Sequence, residues 1–517
     1  MTKFLFVPLL LPCLNLFSQN TGIGVVAPTN TLHVAAAADP LRLQGLQSGA
    51  STDSFITVNS IGVIKQRSIT LGGTGWTITG NAGTSSTNNF IGTLDNTPLS
   101  FRTNNQRSGF IDPDASRRNN SFGNRALNTA LTGTANNAFG YLALSKITSG
   151  FDNIALGDST AFNLTTGSAN IAIGTDALAS IVTATGNVAV GNNALKNTVS
   201  SENTAIGNLA ATNNTTGSNV LAIGAGALLN NQSSFTQLAV GNNALQQITG
   251  GIENVAMGYN AGTSLTAASY NVLLGHYAFS SATTASNNTV VGHNAGLAYT
   301  ALGNTNNTFI GYQAGLSQTA GTGNTLVGTA VDLSGTSSVN NSTGLGQGVQ
   351  ITASNQVRVG NTAVSSIGGQ VGWTTFSDGN IKSNIREDIP GLAFIMRLRP
   401  VTYNYDLVKL QKLQGTKPNA MNRIDPRASA VRFSGLVAQE VEQAAGDVQY
   451  DFSGIDKPAN PNTPYGLRYA EFVVPLIKAM QEMKLLIDQQ QKEIEQLRNM
   501  IGSGSINKAA NQVKPVQ

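Results

Sequence analysis

The sequence predicts a mainly β protein: a β-solenoid or β-roll of stacked coils, then an α+β domain, then a trailing coiled-coil helix. Three observations carry this. Glycines that close short apolar runs recur about every 17 residues through the middle of the chain. The composition is thin for one large core: 517 residues include 56 glycines, only 11% are charged and 6% aromatic, and many of the 40% apolar residues are Ala and Val. That mixture suits stacked β layers with small side chains inside and glycine at tight corners. The last apolar stretch keeps a strict heptad. A net charge of +4 is small for this length and implies neither nucleic-acid nor membrane-surface binding.

Residues 1–19 read as a signal peptide. Lys3 gives a positive start and residues 4–17 are mostly apolar, but Pro12 and Asn15 interrupt the run. It is too short to span a bilayer as a stable helix, and no later segment is long and apolar enough to do so. Cleavage is expected near Ser18 or Gln19, with the mature chain exported to the cell surface or the extracellular space. The alternative is a short buried strand or helix. The single cysteine, Cys13, follows Pro12 rather than a small residue, which does not suit lipidation. A mature chain without cysteine is stabilised by burial and oligomerisation instead of disulfides.

Residues 20–71 alternate in short apolar patterns around a Pro28-Thr-Asn30 turn and read as short strands. The lone His33 lies in this pattern with no second ligand nearby. Residues 72–118 form a second β module of strand pairs. Both segments resemble modules found upstream of the repeats in exported bacterial fibre proteins.

Residues 119–370 are the repeat. Its glycines fall at Gly123, Gly140, Gly157, Gly174, Gly191, Gly207, Gly224, Gly241, Gly258, Gly275, Gly292, Gly311 and Gly328, and the register fades through Gly346 and Gly360. The text around each is similar, as in Asn153-Ile-Ala-Leu-Gly157 and Asn187-Val-Ala-Val-Gly191, with Ala again three residues later at Ala177, Ala194 and Ala244. Alternation along a short strand separates the middle alanine from its branched neighbours. The expectation is that the alanine permits close backbone approach while the branched neighbours fill a core. Glycine then turns the chain. One unit cannot bury its apolar face alone, whereas stacked units can. The unit resembles the head repeats of trimeric autotransporter adhesins, which form left-handed β-rolls packed as trimers, although its coil is longer. That resemblance implies a homotrimer. The period alone also fits a monomeric solenoid.

From residue 371 the chain becomes more charged and carries helix patterns. Residues 371–475 read as a distinct domain, residues 476–501 as a coiled coil, and residues 502–517 as a flexible tail. The heptad places Met480, Ile487, Ile494 and Ile501 at a, and Leu476, Met483, Gln490 and Leu497 at d. An amphipathic helix packed on its own domain is the alternative.

One constellation here points to chemistry. Phe376, Ser377, Asp378 and Lys382 open the domain, followed by Leu398-Arg-Pro-Val-Thr-Tyr403, Ser434-Gly-Leu-Val-Ala-Gln-Glu440 and Tyr469-Ala-Glu-Phe472. A serine hydroxyl becomes a nucleophile when a base takes its proton, and a lysine can be that base if burial favours its neutral form. No histidine follows His293, so the domain cannot hold a Ser–His–Asp triad. The segments, in this order, resemble the intramolecular chaperone domain of phage endosialidases and other tail spikes. The resemblance implies trimerisation, templating of the upstream fibre, and self-cleavage by Ser377 and Lys382 at the Phe376–Ser377 bond. Asp378 is a candidate for orienting the turn. Without the resemblance, Ser377-Asp-Gly379 is equally an ordinary turn and helix cap, and Lys382 a solvated lysine.

The expected function is therefore an exported surface fibre or adhesin whose partners are its own copies and a surface ligand, a glycan or a protein. A glycan-degrading spike is the competing reading, and it wants clustered carboxylates and aromatics that the repeat lacks. A released signalling protein would want a basic DNA-binding region. No metal or cofactor is expected: an Asp-rich ligand ladder is missing, and His276 and His293, both directly after a repeat glycine, read as surface variation.

Overall fold

Each repeat contributes one three-residue strand, and each strand lies parallel and in register with the next: Ile171 opposite Val188, Val188 opposite Thr204. The computed structural model describes residues 90–128, 130–334, 337–416 and 424–502, residue 82, and four short strands nearer the N-terminus. The chain divides into two units, Met1–Gly92 and Thr93–Gln517. In the first, Thr21–Ile23 pairs in parallel with Leu32–Val34, and Phe55–Val58 pairs antiparallel with Ile64–Arg67. His33 falls in the second of these strands. The expected signal peptide lies outside the described residues, as does all but the first residue of the expected tail.

Among the described residues of the second unit, fifteen strands stack from Asn120–Phe122 to Val357–Val359 as one β-solenoid. An antiparallel hairpin, Leu99–Thr103 with Gln106–Ile111, covers the edge of the first strand. Phe101, Phe122 and Phe139 form a row of rings across that junction, with centroids 5.2 and 5.9 Å apart.

The coil of residues 187–203 shows why this sequence winds as it does. Asn187 and Ala189 point inward and are fully buried. At Gly191 the chain turns with φ +134°, and a Cβ there would lie 2.3 Å from the Gly207 carbonyl oxygen, so only glycine fits the corner. Asn193 and Leu195 then adopt left-handed backbone, φ 57° and 49°. Such conformations cost roughly 1–2 kcal/mol for a side-chain-bearing residue. They persist because the backbone groups find partners in adjacent coils: Leu195 N–H donates to Ala210 O at 3.0 Å, and Asn193 N–H to Thr175 O at 2.9 Å. Ala194 and Leu195 enter the interior and are fully buried.

The branched neighbours of the middle alanine do not fill this core, contrary to the sequence expectation. Ala155 is 0% exposed, whereas Ile154 and Leu156 beside it are 43% and 49% exposed. The same pattern holds along the sheet, with a buried central residue flanked by outward ones. The physical reason is the narrow coil. In the alanine-bearing coils, leucines from the turn segment such as Leu178 and Leu195 already occupy the interior and leave room for little more than a methyl group, whereas glycines at the turn position, Gly262 and Gly315, lie against the larger central residues Leu273 and Phe309. The branched residues line the outer surface, where the final strand residue is apolar in all fifteen cases from Phe122 to Val359 and neither outward position carries a charge.

A second interior column is polar. Asn119, Asn136, Asn153, Asn170, Asn187 and Asn203 form a buried ladder in which each side-chain amide donates to the side-chain oxygen of the Asn before it, as from Asn187 to Asn170 at 3.2 Å. The remaining amide hydrogen reaches a backbone carbonyl on the next coil, Asn153 to Gly167 O at 3.0 Å. Buried amides are thereby satisfied, which buried polar groups require. At Val220 the ladder has no side-chain rung; it resumes at Gln237 and Asn254.

Two results are expected from this packing. Ala189→Leu should overpack the coil and lower stability by about 1–3 kcal/mol, read as a reduced unfolding midpoint. An unchanged midpoint would contradict the inward placement of Ala189. The second concerns Asp332, whose carboxylate accepts from the Ser317 N–H at 2.9 Å and the Leu333 N–H at 2.8 Å. Burial nonetheless pushes it from 3.8 up to about 6. The folded state then holds its proton more tightly than the unfolded state, so stability should fall as pH rises through that window. Asp332→Asn should flatten the fall in a thermal-unfolding series from pH 3.5 to 7, and an identical pH profile in the variant would refute the assignment.

The solenoid is followed by a small α/β region and a long helix. Four helices, α1 (Leu392–Ile395), α2 (Leu407–Leu413), α3 (Pro426–Ala430) and α4 (Ala438–Asp447), accompany two antiparallel strand pairs, Val401–Tyr403 with Phe433–Gly435 and Ile455–Asp456 with Gly466–Leu467. The core holds Phe394, Val441, Ala444, Ala445, Phe452 and Phe472, with the Phe452 and Phe472 rings edge to face at 4.7 Å. The last helix, α5 (Val473–Gly502), crosses the start of α1. A Cβ at Gly391 would lie 2.6 Å from Ala479 N, so this glycine permits the approach. Glu482 Oε2 accepts from Leu392 N–H at 2.7 Å, taking the capping role that Gly391 has no side chain to fill.

Candidate functional site

Residues 361–376 leave the last coil as an exposed segment without regular secondary structure, and Phe376 at its end is 92% exposed. A single 3₁₀ turn follows, Gly379–Ile381. Asp378 caps it: its Oδ1 accepts from Asn380 N–H at 2.9 Å and from the Asn380 side-chain amide at 3.0 Å. Lys382 N–H donates to Gly379 O at 3.2 Å and closes the turn. The turn carries Lys382 back over Ser377, and Lys382 Nζ donates to Ser377 Oγ at 2.8 Å. Five residues of sequence separation thus become one hydrogen bond because the capped turn between them is tight.

Phe376, Ser377, Asp378 and Lys382 are all exposed in the single chain. Asp378 acts on the turn and makes no recorded bond to the Ser–Lys pair. As drawn by the hydrogen bond, the ammonium is the donor and the hydroxyl the acceptor. For the lysine to serve as base it must lose a proton, which burial promotes and water opposes. Chemistry by this pair would need a covering surface that the isolated chain does not supply.

The comparison with known families bears on this segment. Residues 377–450 match the family model described as chaperone of endosialidase. The C-terminal region is an endosialidase-type chaperone domain. The match begins at Ser377 and runs through α1 to α4, ending where the Tyr450 ring packs on Phe394. No curated protein and no solved structure matches the chain.

Helix α5 extends beyond the chaperone-domain match. It meets α1 around Lys478, Ala479 and Glu482, whereas Met480, Met483, Ile487, Ile494, Leu497 and Ile501 are exposed. Ile477, Met480 and Leu485, with Gln481 and Lys484 beside them, form one exposed face of the same helix. Among the described residues no helix is long and apolar enough to cross a membrane.

Two features of this part escaped the sequence. Sequence alternation alone puts the outward apolar row in the interior, since alternation defines two faces without saying which is inside. The stacking of His276 on His293, ring centroids 6.2 Å apart, follows from coil register, which only the three-dimensional winding supplies.

Proposed function

We propose that this chain is an exported, trimeric surface fibre of structural and adhesive character, whose chaperone domain directs trimer assembly and then releases itself by cutting between Phe376 and Ser377. The observation that carries the reading is the outer face of the solenoid. It is free of charge over fifteen strands and keeps an unbroken apolar row at the last strand position, beside a second row of Asn, Thr and branched apolar residues, a length of roughly 70 Å at the usual strand spacing. A continuous apolar strip of that kind marks an interaction surface in a soluble protein. It stands directly before a domain whose family name denotes a chaperone. Three copies packed along this strip, with the exposed heptad of α5 zipped beyond it, would bury both.

Self-cleavage fits the same scheme. The Ser377–Lys382 pair is exposed in one chain and gains its cover only on assembly, so cutting follows folding. A second reading keeps the chaperone as an uncut trimerisation cap, and the exposure of Lys382 favours it. The fibre's external ligand is a glycan or a protein. Sedimentation equilibrium of the purified chain should give three times the chain mass; a stable monomer would end the trimer reading. A glycan panel scored for both binding and breakdown separates a fibre from a glycan-degrading spike.

A further inference from the structure

We propose that His276 and His293 form a surface site for one divalent transition-metal ion of the copper, nickel and zinc type. The chain contains three histidines in all. Two of them occupy the same position in consecutive coils, each directly after a corner glycine, Gly275 and Gly292. Their strands pair in register, with Leu274 opposite Val291. The backbone is tied at the site itself: Asn294 N–H donates to His276 O, and Gln313 N–H to His293 O, each at 2.9 Å. The two anchors are therefore fixed at about the 4.8 Å spacing of neighbouring strands.

Both imidazoles are exposed, and they lie nearly parallel, 24° apart with centroids separated by 6.2 Å. Tyr259 lies 6.4 Å from His276, and Tyr312 lies 5.7 Å from His293, closing the row at its two ends. This arrangement turns ring faces toward one another and leaves edges to solvent. It is a poor platform for a sugar, which stacks on an open face. Ring edges are where imidazole nitrogens sit, and the two rings offer them side by side. An ion bound at about 2.0–2.1 Å from each nitrogen needs those nitrogens about 3 Å apart. From ring centroids 6.2 Å apart, a change of side-chain rotamer by the two exposed imidazoles would bring their nitrogens to that spacing. Imidazole suits copper, nickel and zinc over magnesium or calcium.

Among the described residues no group of three His, Cys, Asp or Glu side chains converges. The protein thus supplies two ligands and water the rest, which makes an open, exchangeable site rather than a structural one. This site belongs to a single chain and does not depend on the trimer.

The test is calorimetric titration of untagged full-length chain with copper, nickel or zinc chloride in separate runs. One ion per chain is expected, and the copper complex should show hyperfine coupling to two nitrogens in its electron paramagnetic resonance spectrum. His276→Asn and His293→Asn should each weaken binding at least tenfold, the double variant should abolish it, and His33→Asn should leave it unchanged. Circular dichroism should be native in all four, since His276 and His293 are exposed and His33 lies in the other unit. No saturable binding, binding that survives the double variant, single variants with native affinity, or loss in His33→Asn would each overturn the site.

Discussion

Ser377→Ala chain is expected to remain full length under conditions in which the native chain splits, without added protease, into two pieces. The reason is chemical: alanine has no group to attack the Phe376–Ser377 bond. Lys382→Arg is the sharper variant. Arginine keeps the positive charge and the hydrogen bond to Ser377 Oγ, now 2.8 Å from Lys382 Nζ, but it does not give up its proton at accessible pH. It should therefore leave the turn folded and the chain uncut. Intact mass and N-terminal sequencing read the result, and the small fragment should begin Ser377-Asp-Gly. Cleavage should appear only in assembled material, because a single chain leaves Lys382 in water. Normal cutting by Lys382→Arg would reduce the lysine to a structural role. Cutting that persists in Ser377→Ala would trace the activity to a contaminating protease and leave an uncut cap.

The second large effect is expected from charge on the outer face. Ile173→Glu combined with Val190→Glu places two carboxylates, on adjacent strands, in the row assigned to the trimer contact. Buried without partners, each would cost several kcal/mol, and the charges repeat in every copy. The trimer should give way to a monomer by sedimentation equilibrium. The coil itself should keep its circular dichroism, because these side chains point away from its interior. Ala172→Glu is the contrast: that residue is 0% exposed inside the coil, so a carboxylate there should unfold neighbouring coils. A double variant that stays trimeric would remove the outer row from the interface.

The winding was legible because glycine at the corner has no substitute. Its Cβ-free approach to the next coil leaves a mark every 17 residues, from Gly123 to Gly328. The inside and outside of the coil were not legible. Both the alanine and its neighbours are apolar, and the choice depends on Leu178 or Leu195 having already filled the interior from elsewhere in the unit. The asparagine ladder was hidden for a similar reason: a polar residue before a strand looks like a turn until its partner one coil away is known. At the site, local spacing was enough to bring Ser377 and Lys382 onto one turn, since Asp378 caps it within two residues. The clasp between Gly391, Ala479 and Glu482 joins positions about 90 residues apart, and no local pattern announces it.

The direction of the hydrogen bonds in the solenoid has a mechanical consequence. They run from coil to coil, along the long axis, so a pull on the two ends loads the coils in series. Tensile strength is then set by the weakest junction and gains nothing from additional length. The buried amide ladder lacks a side-chain rung at Val220, and again at Asn307 and Asn324, whose side-chain amides turn to Gly321 O and Val339 O, so those junctions rest on backbone bonds. A solenoid wound this way carries an axial load through every coil in turn, and each junction bears the whole of it.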